Sequence, residues 1–179
     1  MSLSPLRVNT DRLREDIEAL SLIGLREDQG IYRMAFSDDD MAARDWLSLR
    51  ITDSNLELYQ DGAANIHARL GWNASIPSVI AGSHIDTVPR AGHLDGALGV
   101  VCALESLRVL KESQVELKRP LEAISFTDEE GHFGGMFGSQ AFAGLVTPDY
   151  LHNAANLDGI TLTDAMKKRG LDARDALHA

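Results

Sequence analysis

Ser78-Val79-Ile80-Ala81-Gly82-Ser83 is a short apolar run that leads into a polar loop. A helical stretch from Gly99 to Leu110 separates it from a second run, Leu121-Glu122-Ala123-Ile124-Ser125-Phe126-Thr127. The first run reads as a short strand with buried character. In the middle stretch Val100, Ala103, Leu104 and Leu107 fall on one side of a helix. The last run alternates Leu121, Ala123 and Ser125 with Glu122, Ile124 and Phe126, the two-residue repeat of a strand. Strand, loop, helix, strand is the pattern of a right-handed βαβ crossover joining parallel strands. In such sheets functional groups gather beyond the carboxyl ends of the strands. Two polar clusters, His84 to Asp95 and Asp128 to Glu130, stand at those ends.

Outward from this unit, Leu56-Glu57-Leu58-Tyr59 alternates, Asp61-Gly62 signals a turn, and Ile66, Ala68 and Leu70 alternate again, which reads as a hairpin. Leu13, Ile17 and Leu20 recur at helical spacing after Thr10. A second helix starts at Ser37, with Asp38, Asp39 and Asp40 suited to its first turn and Ala42, Trp46 and Leu49 as its apolar face. The Asp run lacks the alternating ligands and glycine of a calcium loop, so it reads as capping. A terminal helix runs from about Leu162 to Arg169 and is stopped by Gly170. The chain carries no repeats and no clear interdomain linker.

The 179 residues, 44% hydrophobic and 25% charged, suit one well-buried domain and argue against disorder. A formal net charge of −10, from 27 acidic and 17 basic residues, argues against nucleic acid or an anionic membrane as partner. Lys167-Lys168-Arg169 is too short to reverse this and reads as a solvated last helical turn. The single cysteine, Cys102, excludes an intramolecular disulfide framework and agrees with a reducing compartment; in its apolar helix it reads as a buried structural thiol. The segment Met1-Ser2-Leu3-Ser4-Pro5-Leu6-Arg7 shows neither a basic region with an apolar core nor a membrane-length apolar run, so the expected location is cytoplasmic. Asn73-Ala74-Ser75 is then a chance match to a glycosylation sequon on a loop.

His84 and Asp86 lie two apart at a strand end, so an extended backbone would send both side chains from one face. Asp86 could then accept a proton from the second imidazole nitrogen of His84 and fix its tautomer for metal binding. Asp95 follows on the glycine-bearing loop Ala91-Gly92-His93-Leu94-Asp95-Gly96, suited to a bridging carboxylate. Glu129 and Glu130 are adjacent and should diverge, one towards a metal and one towards water. Two cations about 3.5–4 Å apart would acidify a water between them, and a neighbouring carboxylate could take its proton. Histidine with carboxylates favours zinc, with manganese or cobalt possible.

These motifs identify the chain as resembling the hydantoinase/carbamoylase group of the M20 metallopeptidase family. Gly82-Ser83-His84-Ile85-Asp86-Thr87-Val88, Gly92-His93-Leu94-Asp95-Gly96-Ala97-Leu98-Gly99-Val100 and Phe126-Thr127-Asp128-Glu129-Glu130-Gly131 carry the likeness, with flanking support from Arg33-Met34-Ala35-Phe36-Ser37, Gly138-Ser139-Gln140-Ala141-Phe142-Ala143-Gly144 and Asp158-Gly159-Ile160-Thr161-Leu162. The resemblance implies a three-layer α/β/α fold with a mixed, largely parallel sheet, that of a zinc-peptidase-like catalytic domain incomplete at its C-terminus. It implies His84 as ligand to one metal, Asp95 as bridge between two, Glu130 as ligand to the other, Glu129 as general base, and Asp86 as partner of His84. The implied reaction is metal-assisted hydrolysis of linear amide or carbamoyl C–N bonds, as in N-carbamoyl amino acids, ureido acids or allantoate. Full-length members of the group are expected to be homodimers.

Members of that group are longer, with further ligands and a lid and dimerisation domain that have no counterpart in residues 1–179. With Asp95 shared, each metal keeps two protein ligands, below the three usual in catalytic zinc sites. The chain alone is therefore expected to bind metal poorly, to be inactive, and to self-associate through uncovered apolar surface. His152 and His178 sit in no motif resembling the missing ligands. In Gly131-His132-Phe133-Gly134-Gly135-Met136-Phe137-Gly138 relatives usually place arginine before the phenylalanine, so substrate contacts from this loop are not carried over. Two other readings stay open: a non-catalytic remnant or binding module, and a peptidase or deacylase of the wider M20 family.

Overall fold

The structure, a computed structural model, describes residues 6–179. Most of the segment Met1 to Arg7 read for an export signal lies outside the described residues. The elements in chain order are α1 (Thr10–Ser21), α2 (Asp38–Asp53), β1 (Glu57–Gln60), β2 (Ile66–Leu70), β3 (Val79–His84), α3 (Ala97–Glu112), β4 (Leu121–Phe126), α4 (Phe137–Phe142), α5 (Pro148–Asn153), α6 (Leu162–Lys168) and a closing 3-10 helix (Ala173–His178). Among the described residues no helix is long and apolar enough to cross a membrane.

The four strands form one sheet in the order β1-β2-β4-β3. β3 and β4 pair in parallel, joined by the crossover helix α3, as the alternation and helical spacing predict. The fold is mixed α/β as expected. Its parallel part is nevertheless confined to that one pair, because β1–β2 and β2–β4 are antiparallel. The hairpin explains the first of these: a link as short as the one from Gln60 to Ile66 cannot return a strand in the same direction.

Register sorts the faces. Ile66 opposite Ser125 and Ala68 opposite Ala123 lie on the face covered by α1, α2 and α3, where Leu20, Leu47, Ile51, Val100 and Leu104 complete a core. On the other face Phe142 of α4 meets His67 and Phe126, with ring centroids 6.2 and 6.0 Å apart. A second core joins Phe36, Phe133, Phe137, Leu151, Leu162 and Met166, gathering α4, α5, α6 and the 3-10 helix.

Three expectations need correction. The buried stripe of α2 is Asp40, Ala43, Arg44, Leu47 and Ile51, while Leu49 is 62% exposed. Two charged residues share the stripe, so a search for apolar spacing alone shifts it by one position. Cys102 is half-buried rather than buried. Arg169 is not a solvated helix end: it donates to the carbonyl of Phe36 at 2.7 and 2.9 Å and pairs with Asp38 at 2.7 Å.

Candidate metal centre

The parallel register sets His84 beside Phe126, so the segments leaving β3 and β4 run out side by side. His84, on the first, is 6% exposed. Gly96 lies flat against its ring: a Cβ there would overlap imidazole atoms, and the residue has φ +62°, where glycine is favoured. This is how the loop before α3 comes close enough to deliver Asp95. One ligand atom each from His84, Asp95 and Glu130 all lie within 4.8 Å of one another, the one such group of three among the described residues.

His84 Nδ1 lies 3.0 Å from the backbone oxygen of Asp86 and 3.8 Å from its carboxylate. A carbonyl can only accept, so in the neutral ring Nδ1 carries the proton and Nε2 keeps a lone pair that a cation could use. The tautomer expected from the sequence is thus supported by main chain, and the Asp86 carboxylate has a different partner. Its Oδ2 accepts the N–H of Glu130 at 3.2 Å, tying the two ligand segments together. Asp86 is 1% exposed, its Oδ1 has no hydrogen-bond partner among the described residues, and burial, reinforced by the charge of Asp40, pushes its carboxyl up to about 6.

Glu129 and Glu130 diverge. Glu129 stands 3.4 Å from His84 Nε2 and is about one-third exposed, while Glu130 joins the group of three. Burial raises the Glu130 carboxyl above its ordinary range. Asp128, just before them, is fully buried at φ +52° and accepts the N–H of Phe133 at 3.1 Å; burial pushes it up to about 7. His152 and His178 are exposed on α5 and the 3-10 helix and take no part. Sequence reasoning missed two buried arginines behind the centre, Arg33 and Arg44. The spacing of Asp40 and Arg44, four apart on a helix, was the available signal for the second.

One imidazole and two carboxylates fit a divalent cation of the zinc or manganese kind, and three protein ligands is the usual number at a catalytic zinc. The family model described as peptidase family M28 matches residues 65–172, more than half of the chain. The chain belongs to peptidase family M28. It is 35% identical over 169 residues to an N-carbamoyl-L-amino acid amidohydrolase of Geobacillus stearothermophilus, covering 92% of this chain and 41% of the relative. It is 34% identical over 157 residues to an allantoate amidohydrolase of Bacillus subtilis, covering 86% of this chain and 38% of the relative. A crystal structure of a hydantoinase/carbamoylase family amidase from Burkholderia phymatum superimposes with a TM-score of 0.87 at 36% identity, covering 97% of this chain and 42% of that one. The chain thus spans about two-fifths of the length of these relatives. The hydantoinase/carbamoylase group read from the motifs returns in these names, while the matching family model carries the M28 name rather than M20.

Proposed function

We infer that this M28 chain is the metal-binding part of a hydrolase for linear amide or carbamoyl C–N bonds in small molecules such as N-carbamoyl amino acids, ureido acids or allantoate. The observation that carries the reading is the convergence of His84, Asp95 and Glu130 with Glu129 beside them. His84, Asp95 and Glu130 would hold the cation, with Asp95 placed to bridge if two bind. A bound divalent cation supplies polarisation of the carbonyl and a water acidic enough to attack near neutral pH. Glu129 holds the proton taken from water at its carboxylate and returns it to the departing nitrogen. Asp86 orients the machinery through the N–H of Glu130 and, by its carbonyl, through His84. The charge of −10 disfavours nucleic acid, and the single Cys102 supports a cytoplasmic location.

Calorimetric titration with zinc tests the site: binding is expected in the wild-type chain and lost in His84→Ala. Assays with zinc or manganese on N-carbamoyl amino acids, allantoate and dipeptides test the chemistry. Because His84, Asp95 and Glu130 leave each of two ions only two protein ligands once Asp95 is shared, residues 1–179 are expected to hold one ion and to show no appreciable turnover. Turnover abolished by Glu129→Gln would overturn that expectation. A preference for dipeptides would favour the peptidase reading, to which the family name gives specific support.

A further inference from the structure

Two arginines with no place in the chemistry above are among the best-buried side chains, Arg33 at 0% exposure and Arg44 at 6%. A guanidinium stays charged, so its burial is costly unless its donors find acceptors. Where those acceptors sit is therefore informative. Arg33 Nε donates to the carbonyl of Ile85, and Nη1 to those of Leu20 and Ile23, each at 2.9 Å. Its backbone N–H donates to Thr87 Oγ1 at 2.9 Å, and the Thr87 N–H returns a bond to the Arg33 carbonyl at 3.0 Å. Arg33 thereby grips Ile85-Asp86-Thr87, immediately behind His84. The turn after α1 is shaped to admit it: Gly24 has φ +79°, and a Cβ there would come within 2.9 Å of Arg33 Cγ.

Arg44 reaches the other strand with a more varied set of acceptors. Nη2 donates to Thr127 Oγ1 at 3.1 Å, Nη1 to the carbonyl of Ala64 at 2.7 Å, and Nε to Asp40 Oδ2 at 2.8 Å. Thr127 is the residue at which the chain leaves β4 for Glu129 and Glu130. It is also held from its own backbone, its N–H donating to Asn65 Oδ1 at 2.9 Å and its carbonyl accepting from Gly138 at 2.7 Å.

We propose that Arg33 and Arg44 are positioning residues for the ion held by His84, Asp95 and Glu130, the first fixing the segment after β3 and the second the segment after β4. The inference rests on the ion-site reading above. Neither arginine touches reacting atoms; Arg33 acts through the backbone it holds and Arg44 through the hydroxyl of Thr127. Together with the bond from the Glu130 N–H to Asp86 they remove slack between two segments whose ligand atoms must meet. A brace that served stability alone would alter unfolding and leave the ion affinity of the folded protein unchanged.

Zinc titration calorimetry on the whole chain tests this with Arg33→Lys, Arg44→Lys, Thr87→Val and Thr127→Val, each first checked for native helix content by circular dichroism. Lysine keeps the charge but lacks the planar fork that serves several carbonyls at once. Valine keeps the shape of threonine and removes the hydroxyl acceptor. The expected result is a zinc Kd weakened about 10–100-fold in the arginine variants, the range for groups that orient metal ligands, and weakened less, in the same direction, in the threonine variants. Folded variants that bind zinc as tightly as wild type overturn the proposal. Should the lysine variants fail to fold, the threonine variants decide it by the same criterion. A wild-type chain that binds no zinc overturns the ion-site reading and this inference with it, an outcome distinguishable because it appears without any substitution.

Discussion

Asp128 joins β4 to the Glu pair in the left-handed region, a conformation that aspartate and asparagine tolerate better than most residues. Its buried carboxyl titrates near 7 against an ordinary value of 3.8. An acid raised in this way stabilises the fold while protonated. Its contribution is complete below about pH 4, the unfolded value, and is lost as pH rises through 7. Asp86, raised to about 6, acts in the same sense. The metal-free chain in chelator should therefore melt at lower temperature at pH 8 than at pH 5, and Asp128→Asn should flatten that slope. A wild-type melting temperature constant over this range would contradict the argument. At this scale His84, Asp95, Glu129 and Glu130 were legible in the sequence because their chemistry is carried by residue type and spacing. Arg33 was not, because its acceptors are backbone carbonyls that only the tertiary fold places; for Arg44 the spacing from Asp40 signals an ion pair, while its reach to Ala64 and Thr127 is set by the tertiary fold. The same limit applies to Asp86, since sequence cannot tell whether its carbonyl or its carboxylate faces the imidazole.

β3 and β4 approach closely at Gly82, whose Cβ, if present, would overlap the carbonyl oxygen of Ile124 and lie 2.7 Å from Ile124 Cγ2. Gly82→Ala must push the strands apart, and His84 lies two residues further along β3. The substitution is expected to destabilise the chain by about 1–3 kcal/mol, the usual cost of overpacking, and to weaken zinc binding as well. Urea denaturation and calorimetry measure the two effects, and an unchanged denaturation midpoint would count against the close approach. The crossover unit was legible to within two residues at each boundary, Ser78 to Ser83 against Val79–His84 and Gly99 to Leu110 against Ala97–Glu112. A continuous apolar run, a sustained helical spacing and a clear two-residue alternation follow one another there without overlap. α4, α5 and the 3-10 helix each have six residues, too few for a period to show, and none was identified.

In the molecule as a whole β3 is an edge strand, with Val79 55% exposed and Ala81 and Gly82 exposed beside it. An uncharged edge offers unpaired N–H and C=O groups to another strand. The net charge of −10 opposes such contact at long range, and salt screens it. Self-association should accordingly increase with salt in light scattering and fall in Ala81→Lys. A monomer unchanged by concentration and salt would refute it.

The arginine contacts also bear on the order of events in time. Arg33 reaches a partner 52 residues away and Arg44 one 83 away. Contacts this distant form slowly, since loops must close before they are rewarded. An ion whose ligands depend on them cannot nucleate the chain, as a cation does in small domains that fold around it. On the proposed ion site, metal capture would be a late event in maturation, and the nascent polypeptide would pass through synthesis with His84, Asp95 and Glu130 still apart.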